Sequence, residues 1–94
     1  MKELKFTATH EQTKELEGLA YWIADYNYIS ERYGQEDPEI KRTEKTINLV
    51  FDNLDRLGVP FWVQNTVIAF SENWRRYKEI YMSDYLKTKN IITA

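Results

Sequence analysis

Cysteine is absent from this chain, and glycine (three), proline (two) and histidine (one) are scarce. Without cysteine there is no disulfide, no thiolate nucleophile and no Cys-ligated zinc, a pattern that fits a reducing compartment. So few glycines and prolines leave too little turn chemistry for an all-β fold. A single histidine and no Glu-x-x-His pair argue against a metal site in a helix bundle. No apolar run approaches the ~18 residues that a bilayer span needs, and the first residues are polar, unlike the apolar region of a signal peptide. A soluble cytoplasmic protein without a membrane partner is the expectation. No Ser-His-Asp set, glycine-rich phosphate loop or HExxH motif is present, so no enzymatic activity and no cofactor are expected.

What the 94 residues do contain is 43% hydrophobic side chains, 15% aromatic rings and 30% charged groups. One core in a single domain is within reach of a chain of this size. The net charge of −2 is unevenly spread: residues up to Gly58 are net acidic, and the rest carries a slight positive excess. That excess is small for a nucleic-acid groove.

Organisation centres on the stretch from Val59 to Lys89. Val63, Val67, Phe70, Trp74, Tyr77, Tyr81 and Tyr85 recur every three or four residues, which places one apolar and aromatic stripe on a single helical face. Unbroken, that helix would run about 45 Å at ~1.5 Å per residue. A bend is expected near Ser71-Glu72-Asn73, three poor helix formers in a row.

Upstream, Leu4, Phe6 and Ala8 alternate with polar residues, as in a short strand or an extended arm; the β-branched Ile91-Ile92-Thr93 segment is its one candidate partner. Thr9-His10-Glu11-Gln12 reads as a capping box. From there Leu16, Leu19, Ala20, Ile23, Tyr26 and Tyr33 form an apolar face widened by Trp22 and Ile29, and Gly34 supplies a stop. The first helix is thus expected over about 10–33. Gly18 inside it either admits a close helix neighbour or is merely tolerated. Asp37-Pro38 starts a second helix, over about 38–57, with Ile40, Ile47, Val50, Phe51, Leu54 and Leu57 inward. Gly58-Val59-Pro60 then turns the chain tightly into the third, over about 60–88. The fold class that follows is all-α: an antiparallel three-helix bundle with a long C-terminal helix and a short extended N-terminal arm.

Leu57-Gly58-Val59-Pro60 resembles the turn of the helix-turn-helix DNA-binding family over about 20 residues. That pattern expects a small residue where Leu54 stands and a buried one at Gln64. It aims Pro60, Phe61 and Trp62 at base edges, where they offer few hydrogen-bond donors. A nucleic-acid-binding alternative rests instead on Arg75, Arg76 and Lys78, interleaved with Trp74 and Tyr77. His10, Glu11, Glu15 and Asp25 offer the side chains of a carboxylate or metal cluster, but read more simply as surface residues.

The aromatic surplus carries the functional expectation. Tyr21 and Tyr28, seven residues apart, lie opposite the core face of the first helix, in one row with Asp25 and Arg32. Trp62, Tyr81 and Tyr85, with Phe61, Ile80 and Met82, crowd the third. Tyrosine, tryptophan and arginine are enriched at binding hot spots. The expected function is a small non-enzymatic protein-interaction or regulatory module, binding another protein or itself as a homodimer through Tyr21, Tyr28, Trp62, Tyr81 and Tyr85. By analogy of scale, a small bacterial accessory or regulatory protein has this size and make-up.

Overall fold

The computed structural model describes residues 4–73 and 81–94. In chain order the elements are β1 (Phe6–Thr7), α1 (His10–Tyr33), α2 (Pro38–Arg56), α3 (Phe61–Glu72), α4 (Met82–Thr88) and β2 (Ile91–Ile92). Among the described residues the fold is mostly helical, with one small two-stranded sheet.

Local chemistry sets the helix starts. Thr9 Oγ1 accepts from the Gln12 amide at 3.1 Å, and Gln12 Oε1 accepts from the Thr9 amide at 2.8 Å, closing the capping box. Asp37 Oδ1 accepts from the Glu39 amide at 2.9 Å, with Pro38 opening α2 behind it. Leu57 caps α2, and Gly58, at φ +75°, turns the chain toward α3.

The apolar faces then define the packing. α1 buries Leu16, Leu19, Ala20 and Ile23, and it packs against both α2 and α3. α2 contributes Val50 and Leu54 to the shared core, and α3 contributes Val63, Val67 and Phe70. α2 and α3 make few close backbone approaches to each other among the described residues. α1 is therefore the central element, flanked on two sides. Burying a side chain such as Leu16 or Phe70 contributes roughly 1.5–3 kcal/mol.

One continuous helix over 60–88 does not form. α3 ends at Glu72, Asn73 leaves the helical conformation, and Tyr81 is extended (φ −66°, ψ 144°) as the residue that precedes α4. The expected long C-terminal helix is thus replaced by two shorter ones. Ser71 Oγ donates to the Val67 carbonyl at 2.8 Å, and Asn73 Nδ2 to the Ala69 carbonyl at 3.0 Å. Thr43, Thr46 and Thr66 make the same kind of bond within helices that continue, so these bonds accompany the end of α3 without alone causing it. Trp74 and Tyr77 of the expected stripe lie outside the described residues.

The N-terminal arm is strand β1, paired in parallel with β2 in the register Phe6 to Ile91 and Thr7 to Ile92. The Phe6 amide donates to Asn90 O at 3.0 Å and the Ala8 amide to Ile92 O at 2.8 Å. Ile91 and Ala8 are buried, and the Ala94 amide donates to Thr13 Oγ1 at 3.0 Å. Both ends of the described chain are thereby fastened to the N-terminal half of α1.

Candidate protein-binding surface

The face of α1 opposite its buried side carries the exposed rings. Tyr21 is 62% exposed and Tyr28 44%. Neither is loose. The Tyr21 ring meets Trp22 edge to face at 5.1 Å between centroids, with an interplanar angle of 83°. Arg32 Nη1 donates to Tyr28 Oη at 2.8 Å, and its guanidinium carbon lies 5.6 Å from the centre of the same ring. The helix therefore presents two braced aromatic side chains, one turn either side of Asp25. Asp25 is half-buried and has no hydrogen-bond or ion-pair partner among the described residues.

The remaining residues expected at the surface separate into two groups. Tyr81, at 78% exposed, is the most open of the large apolar side chains described, and stands at the start of α4. Trp62 and Tyr85 are half-buried and pack against the core. The Tyr85 ring tilts onto Phe70 at 5.2 Å, and Lys89 Nζ is 5.9 Å from its centre. Most of the contact area of Tyr85 is thus used within the chain. Its placement follows from the break before α4, which periodicity alone does not register. Arg75, Arg76 and Lys78 lie outside the described residues.

Phe61, expected among the surplus rings of the third helix, is 73% exposed at the start of α3. Three exposed apolar side chains were not part of the expected surface: Leu49 on α2, Leu4 before β1 and Ile92 in β2. Single exposed apolar residues of this kind are ordinary on a protein surface. Tyr33, expected on the apolar face of α1, is also exposed, because that face stops burying side chains after Ile23.

The polar candidates fall apart spatially. Glu11 and Glu15 line an open cleft of about 290 Å³ with Asn53, Arg56 and Leu57. His10 borders a different one, of about 250 Å³, beside Thr13, Lys14, Glu17 and Ala94. Asp25 lines neither. No group of three or more His, Asp or Glu able to hold a metal ion occurs among the described residues. The exposed Arg42–Glu39 ion pair, at 2.6 Å, spans one turn of α2 and contributes little. No described helix is long and apolar enough to cross a membrane.

Gln64 departs most from a simple apolar reading. It is buried, and its Nε2 donates to Val59 O at 2.9 Å and to Asp55 Oδ1 at 3.1 Å. In the helix-turn-helix resemblance this position requires burial, which the glutamine meets by satisfying its amide. Leu54, where a small residue belongs, is fully buried as well. No protein-family model, no curated protein and no solved structure matches this chain.

Proposed function

We propose that this chain is a non-enzymatic protein-interaction module whose contact surface is the solvent side of α1, with Tyr81 as a second exposed ring. The observation that carries this reading is the pair Tyr21 and Tyr28. Both face away from the core, and both are braced by a neighbour, Trp22 for one and Arg32 for the other. Braced rings lose little side-chain entropy on association, and a tyrosine offers apolar area with a polar tip. Trp62 and Tyr85 support the core more than the surface, so they contribute less to binding than the two α1 tyrosines.

The test is affinity capture with the full chain, comparing the native sequence with a Tyr21→Ala/Tyr28→Ala variant whose helicity is checked by circular dichroism. A specific bound protein, or bound copies of the chain itself, retained by the native sequence and lost from the variant supports the reading. Equal retention by both removes α1 from the interface.

A further inference from the structure

We draw no further inference here: the strongest candidate, the solvent face of α1 from Gly18 to Arg32 with its braced rings Tyr21 and Tyr28, belongs to the binding surface already described, and nothing in the structure shows what covers it.

Discussion

The side-chain amide of Gln64 donates to the carbonyl of Val59 at 2.9 Å, inside a turn that has no other buried side-chain donor described. Its second bond, to Asp55 Oδ1, reaches back to the last turn of α2. One side chain thus ties the end of α2 to the start of α3. Gln64→Leu keeps the volume and removes both bonds, leaving the Val59 carbonyl unpaired. The expected cost is about 1–3 kcal/mol. Thermal unfolding followed by circular dichroism measures it, as a fall in Tm of about 4–8 °C for each kcal/mol.

Two glycines respond to alanine with opposite signs. Gly58 holds φ +75° in the turn, where a side chain is strained, so Gly58→Ala destabilises by about 1 kcal/mol or more. Gly18 is an ordinary helical residue with open space about its Cα, so Gly18→Ala stabilises the folded chain by about 1 kcal/mol. Paired thermal melts at low protein concentration separate the two.

The start of α1 depends on Gln12 more than on its capping partner. Thr9→Ala removes one capping bond at a cost of about 1 kcal/mol. Gln12→Ala removes the reciprocal bond and also the one from Nε2 to Leu57 O at 2.8 Å, which joins α1 to the end of α2. The second variant is therefore expected to lie below the first in denaturant midpoint.

Burial sets a wider contrast. Phe70 is fully enclosed among the core side chains, and Phe70→Ala should cost about 3–5 kcal/mol, a large share of the stability of a small domain. Tyr81→Ser, at an open position, should change stability by no more than about 0.5 kcal/mol. Equal losses from both would contradict the placement of Tyr81.

Local signals in the sequence were legible where a few neighbouring residues decide the outcome. The capping box of Thr9 and Gln12 and the Asp37-Pro38 start each occur as their residue types dictate. The alternation of Leu4, Phe6 and Ala8 indicated a strand, while its pairing with Ile91 joins segments at opposite ends of the chain and depends on every helix between them. The break after Glu72 was legible only as a bend. The three-four rhythm of apolar residues continues through Tyr81 and Tyr85, so periodicity does not register that α3 ends at Glu72 and that Tyr81 is extended. For the same reason Tyr85 read as a surface ring, although it packs on Phe70. Tyr21 and Tyr28 were legible because seven residues of a helix return to the same face, opposite Leu16 and Ile23.

The most direct test of the account is an amide chemical-shift map of the full chain, recorded while the bound protein, or more of the chain itself, is added. Perturbations concentrated on α1 from Gly18 to Arg32, and lost in the Tyr21→Ala/Tyr28→Ala variant, are the predicted result. Perturbations centred on α2 or the α2–α3 turn, with α1 unchanged, would contradict it.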